Sequence, residues 1–123
     1  MKRDMKLIRE LMFYIEKNHV NEVLQDIKFK DYSFQEIGYH CDLLYQAGLV
    51  DKYKGDIVNG KLMFFRVGGL TWKGQDYLEL IRNDEIWQKI TKEVEDKKLP
   101  KTIEFIAKIG GKFTGAVLNE LNE

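Results

Sequence analysis

Residues that staple, chelate or stiffen a chain are almost missing from this one: 123 residues contain one cysteine, Cys41, one proline, Pro100, and two histidines, His19 and His40. A lone cysteine closes no internal disulfide, which agrees with a reducing compartment. Zinc-type sites draw three or four ligands from Cys, His and carboxylates. His40 and Cys41 are neighbours that diverge by about 100° on a helix, so no ligand set assembles and no metal is expected. No stretch approaches the roughly 18 uninterrupted apolar residues of a membrane span. Met1-Lys2-Arg3 leads into a charged amphipathic pattern rather than an apolar leader core. The expectation is a cytoplasmic protein with no membrane partner.

Catalytic signatures are equally sparse. Gly68, Gly69, Gly110 and Gly111 form neither a dinucleotide fingerprint nor a phosphate-binding loop. Asp84 with Glu85, and Glu93 with Glu95, suit helix starts and solvent faces rather than acid/base work, which needs a perturbing pocket. A nucleophilic Cys41 requires a base that faces it, and the sequence supplies none. The reading is of a non-enzyme with no cofactor.

Charge imbalance is the last absence: Lys plus Arg number 20, as do Asp plus Glu. Proteins that hold DNA by neutralising phosphates are usually basic, so DNA binding here needs a local patch. Residues 51–75 provide one, with Lys52, Lys54, Lys61, Arg66 and Lys73 against Asp51 and Asp56. Residues 33–47 carry only Glu36 and Asp42.

What is present suffices for a core. The chain is 44% hydrophobic and 33% charged, an ordinary globular composition, and folding should bury roughly two-thirds of its extended surface. Asp4 can cap a first helix whose Leu7, Ile8, Leu11, Met12 and Ile15 make one stripe, ending near Asn18. Alternation from Glu22 to Lys30 suits a short strand, with a brief helix as the alternative. Ser33 and Glu36 form a capping box for a helix that gathers Ile37, His40, Cys41, Leu44 and Ala47 on one face. Gly48-Leu49 should end it in a Schellman motif. Val50–Val58 and Lys61–Val67 flank Asn59-Gly60, a type I′ hairpin turn. A bulge is expected at Gly55 and a sharp exit at Gly68-Gly69.

Thr71 is a natural N-cap for Trp72–Arg82, with Leu70, Tyr77, Leu78 and Ile81 turned to the core. Asn83 or Asp84 opens a further helix bearing Ile86, Trp87, Ile90 and Val94, and Lys92–Lys98 reads as its solvated end and a linker. Pro100 suits the first turn of a last helix. There Ile103, Ile106, Phe113, Val117 and Leu121 form a stripe, with a break expected at Gly110-Gly111. Helix, hairpin, helix in this order is the signature of a winged helix. The fold class is therefore α+β, a winged helix with additional C-terminal helices. The expected division is a winged-helix-like domain over 1–82 and a helical extension over 83–123.

Several segments carry a resemblance: Met1-Lys2-Arg3-Asp4-Met5, Tyr32-Ser33, Glu36-Ile37-Gly38-Tyr39-His40, Ala47-Gly48-Leu49-Val50, Leu70-Thr71-Trp72-Lys73-Gly74 and Ile81-Arg82-Asn83-Asp84-Glu85-Ile86-Trp87. With these the chain resembles a family of small phage and prophage proteins labelled only as a domain of unknown function. The match runs from residue 1 to about residue 90. In that family a histidine often follows the glycine of the Leu-Thr-Trp motif, whereas this chain has Gln75, so no role of that histidine carries over. Cys41 stands where an aliphatic residue is expected, and a small buried thiol can fill the place. More loosely, His40–Val50 and Leu70-Thr71-x-x-Gly74 resemble winged-helix regulators, which implies DNA binding.

Two functions compete. In the first, a phage-type accessory or regulatory protein contacts duplex DNA. Gln35, Tyr39 and Gln46, beside Asp42 and Tyr45, lie on the outer side of the 33–47 helix, and Lys52, Lys54, Lys61 and Arg66 grip the backbone from the wing. Against it, Glu36 and Asp42 face phosphates with no helix cation to offset them. In the second, the module binds a host or phage protein, or forms a homodimer through residues 100–121, without nucleic acid. His40 is expected to be half-buried, bonding a backbone carbonyl or a Tyr and holding its helix against the wing. Trp72 and Trp87 are expected as core anchors. One of Phe64 and Phe65 must point outward, making an apolar spot on the wing with Met63 or Tyr53 nearby.

Overall fold

Asp4 starts the first helix, its carboxylate accepting from the N–H of Lys6 at 2.9 Å and of Leu7 at 3.3 Å. The computed structural model describes residues 1–121, with side chains to residue 115. Among the described residues the elements run α1 (Met5–Asn18), β1 (Leu24–Gln25), α2 (Phe34–Gln46), β2 (Tyr53–Val58), β3 (Lys61–Val67), α3 (Trp72–Ile81), α4 (Asp84–Asp96) and α5 (Ile103–Leu121). The class is α+β, five helices with one three-stranded antiparallel sheet of order β1-β3-β2. Two compact units divide the chain, Met1–Gln75 and Asp76–Glu123.

In the first unit, α1 buries Leu7, Ile8, Leu11, Met12 and Ile15, the stripe read from the sequence. The segment after α1 pairs with β3 for two residues only, Leu24↔Val67 and Gln25↔Arg66. Asp26 then takes a φ of +48°, a left-handed conformation that ends the strand, and no helix follows before α2. Ile27 nevertheless reaches the core, and Phe29 meets the Tyr14 ring edge-on at 5.6 Å.

The capping box forms as read: Ser33 Oγ accepts from the Glu36 N–H, and Glu36 Oε1 accepts from the Ser33 N–H, both at 3.1 Å. Gly48 (φ +74°) ends α2. The Gly48 N–H donates to the Tyr45 carbonyl and the Leu49 N–H to the Leu44 carbonyl, the two bonds of a Schellman motif. Asn59 (φ +50°) and Gly60 (φ +78°) make the hairpin turn. The bulge lies on the other strand from the one expected. Asp56 pairs with Phe64 and Ile57 with Leu62, so Met63 is the extra residue. Gly55 answers a different need, since a Cβ there would lie 2.7 Å from the Tyr53 hydroxyl and 2.8 Å from Leu62 Cδ1.

Phe65 and Val67 point inward and are fully buried; Phe65 packs on Phe34 with ring centroids 5.2 Å apart. His40 bonds a backbone carbonyl as expected, and departs from expectation in its burial and in the element it holds. It is 1% exposed, its Nδ1–H donates to the Glu36 carbonyl at 2.7 Å, and its Nε2 accepts from the Asp4 N–H at 2.8 Å. It ties α2 to the start of α1 rather than to the ribbon. Cys41 is buried as a small apolar filler, and burial pushes its thiol up to about 12.

In the second unit, Asn83 caps α4 by accepting from the Ile86 N–H at 3.0 Å, and Trp87, Ile90 and Val94 are buried. Pro100 precedes α5 instead of entering its first turn. Thr102 takes the cap, its Oγ1 accepting from the Phe105 N–H at 3.1 Å. The break expected at Gly110-Gly111 is absent, and α5 runs through both. A Cβ on Gly110 would stand 2.9 Å from the Leu80 carbonyl oxygen and 3.3 Å from Ile90 Cδ1. That glycine serves close helix packing, so its propensity cost is offset by contact. The side chains of Val117 and Leu121, and with them part of the 100–121 surface expected to dimerise, lie outside the described residues.

Candidate nucleic-acid interface

The residues singled out for nucleic acid meet different fates. Gln35 is spent on the fold: its Nε2 donates to the Leu62 carbonyl at 2.7 Å and its Oε1 accepts from the Leu62 N–H at 3.0 Å. At this end of β3 the short β1 has stopped, so Leu62 presents unpaired backbone groups, and one carboxamide satisfies both. Tyr39 and Gln46 remain exposed on α2, with the Tyr39 ring lying edge-on to His40. The Glu36 carboxylate is folded back onto its own cap. Asp42 is half-buried and acts on Tyr53, whose phenol is pushed up to about 12 by burial first and by Asp42 and Cys41 after it.

Sheet register brings the ribbon cations together. Lys54 stands opposite Arg66, and Arg66 opposite Gln25, so these three share one row on one face. By alternation that face is the outer one, because Tyr53, Phe65 and Val67 occupy the other. Lys61 lies exposed at the tip opposite Val58, and Lys52 exposed at the base, its carbonyl accepting from the Gly68 N–H at 2.9 Å. Phe64 shares the outer face at 43% exposure, with Val58 and Met63 also exposed beside the turn. The expected apolar spot exists and is larger than Phe64 alone.

Trp72 overturns its expected role. It is 81% exposed at the N-terminus of α3, whereas Trp87 is buried as expected. Thr71 explains the difference. Its Oγ1 donates to the Gly48 carbonyl at 2.6 Å and accepts from the Gly74 N–H at 3.0 Å, which fixes the first turn with Gly74 inward and Trp72 outward. Next to it Lys73 Nζ donates to the Ala47 carbonyl at 3.2 Å, so this cation caps the C-terminus of α2. Sequence reasoning missed Gln25 in the cationic row because only strand pairing places it there.

A cavity of about 340 Å³ opens between the end of α1 and the exit of β3, lined by Ile15, Glu16, His19, Asp51, Gly69, Leu70 and Gln75. Asp51 Oδ1 accepts from the Gly69 N–H at 3.0 Å. Among the described residues no three His, Cys, Asp or Glu side chains are placed to hold a metal ion, and no helix is long and apolar enough to cross a membrane.

The family model described as "Hypothetical protein (DUF2513)" matches residues 2–100, which include α1, α2 and the whole ribbon. The chain belongs to the DUF2513 family. An uncharacterised protein of Haemophilus influenzae is 28% identical over 110 residues, covering 89% of this chain and 92% of that protein. No solved structure matches the chain. The DUF2513 match therefore takes in every residue of the ribbon row.

Proposed function

We propose that this DUF2513 protein is a non-enzymatic, cytoplasmic accessory or regulatory protein of phage or prophage type, whose first unit is a winged helix that contacts duplex DNA through its wing. The observation that carries the reading is the outward row Gln25, Arg66 and Lys54, flanked along the ribbon by exposed Lys52 and Lys61. Cations spaced along a ribbon suit phosphate neutralisation. The difficulty with the α2 carboxylates is eased, since Glu36 is engaged in its cap and Asp42 is half-buried, while the neutral Gln35 is held by Leu62. Helix α2 then supports the wing and is not the base reader. Phosphate contact without base readout makes the binding tolerant of sequence.

A second reading, docking on a host or phage protein without nucleic acid, is supported by the exposed Val58, Met63, Phe64 and Trp72. A mobility-shift titration against random duplex at low salt separates the two. Binding tighter than ~100 μM, the weak end of nonspecific affinity, is expected, and replacing Lys52, Lys61 and Arg66 by Glu should abolish it. No shift at that concentration would leave the protein-docking reading in its place.

A further inference from the structure

Strand β2 is an edge, and its backbone groups face two ways. The Gly68 N–H donates to the Lys52 carbonyl, so alternation turns the groups of Lys52, Lys54 and Asp56 toward β3 and those of Tyr53, Gly55 and Ile57 away from it. Two observations on β3 agree. The Phe65 carbonyl accepts from the Asp26 N–H on the far side, and Phe65 is the partner of Gly55. Leu62 gives both of its groups to Gln35, and Leu62 is the partner of Ile57. Among the described residues no strand takes the outer edge of β2.

The side chains on that edge read the same way in both directions. Lys54 and Asp56 flank Gly55 on the outer face, and Tyr53 and Ile57 flank it on the inner one. Ile57 shares its side with Tyr53 yet is 70% exposed among the described residues, an apolar residue on the core-facing side left largely to solvent. We propose that β2 pairs antiparallel with β2 of a second copy of this chain about a two-fold axis at Gly55. In this register Lys54 meets Asp56 of the second copy twice, and Tyr53 meets its Ile57 twice. Gly55 exchanges both backbone hydrogen bonds with its own counterpart.

The alternatives are worse. An axis at Lys54 or at Asp56 sets like charges opposite each other, and a one-residue slip places inward side chains against outward ones. Of the other positions whose backbone groups face outward, an axis at Tyr53 sets Lys52 against Lys54 and one at Ile57 leaves Lys54 and Asp56 without opposite charges, so the axis at Gly55 is the one that joins charge, face and backbone direction. It joins two three-stranded sheets into one of six strands and covers both exposed Ile57 side chains. Self-complementarity of this kind is what an isologous interface requires. The site is distinct from the 100–121 segment, and it shares Lys54 with the row proposed to contact DNA, so its test reads association of the chain without nucleic acid.

Sedimentation equilibrium on the full chain tests it. The wild type is expected to dimerise. Lys54→Glu alone opposes Glu to Asp56 twice, Asp56→Lys alone opposes two lysines twice, and each should weaken the dimer roughly tenfold or more. An equimolar mixture of the two single variants restores both attractive pairs and should recover wild-type affinity, as should the double variant Lys54→Glu/Asp56→Lys. Circular dichroism of each variant confirms that these surface changes leave the fold intact. A wild type that stays monomeric at about 100 μM, singles that dimerise as the wild type does, or a mixture that fails to recover would each overturn the proposal.

Discussion

Gln35 holds Leu62 by both of its backbone groups, a side-chain amide on the first turn of α2 standing in for a missing strand at the end of β3. The clamp ties the turn end of β3 to the first turn of α2.

Gln35→Ala should therefore lower stability by about 1–2 kcal/mol, the cost of leaving partly buried backbone groups without partners. Gln35→Glu should restore little, because a carboxylate accepts from the Leu62 N–H but opposes its carbonyl. Urea midpoints give the loss. Faster hydrogen exchange at the Leu62 amide would place it at the clamp, and an unchanged exchange rate would count against the assignment.

Adjacent glycines in α5 should respond with opposite signs. Among the described residues Gly111 has nothing within 4 Å of an added Cβ, so Gly111→Ala should stabilise by up to about 1 kcal/mol through helix propensity. Gly110→Ala drives its methyl into the Leu80 carbonyl and should destabilise by about 1–3 kcal/mol. Thermal melts of the two variants test the pair. A common sign would contradict the packing described for the second unit.

Cys41 should make the protein sensitive to alkali. Its folded thiol titrates at about 12 against an ordinary value of 9, so above pH 9 the unfolded chain releases its proton first. Stability is then full below pH 9 and falls as pH rises toward 12. Tyr53, raised from 10 to about 12, adds a loss of the same sign that begins one unit higher. Urea midpoints should drop between pH 8 and pH 10, and Cys41→Val should flatten the part between 9 and 10. At pH 8 the native thiol should resist a disulfide reagent until urea unfolds the chain, since it is both protonated and fully buried.

Features that depend on residues within a few positions of one another were legible before any coordinates. Asp4, the Ser33 and Glu36 box, the Gly48-Leu49 stop, the Asn59-Gly60 turn and the Asn83 cap are each closed by bonds spanning five residues or fewer, and the local chain dictates them. The cations at 52, 54, 61 and 66 were equally visible. Their grouping into a row was not, because it depends on the register that sets Lys54 and Gln25 on either side of Arg66.

By itself, then, the chain's order of residues determined where α1, α2 and α4 begin, where α2 ends, where the ribbon turns, and that the ribbon carries the positive charge. Tertiary structure decided the rest. Gln35 was tied to Leu62, His40 bonded the start of α1, Trp72 went to solvent, Gly110 took a close contact in place of a kink, and the bulge fell at Met63. Each of these outcomes is set by a partner distant in sequence or by how another element is turned. A side chain's role is a competition among surfaces, and only the fold says which surfaces are within reach.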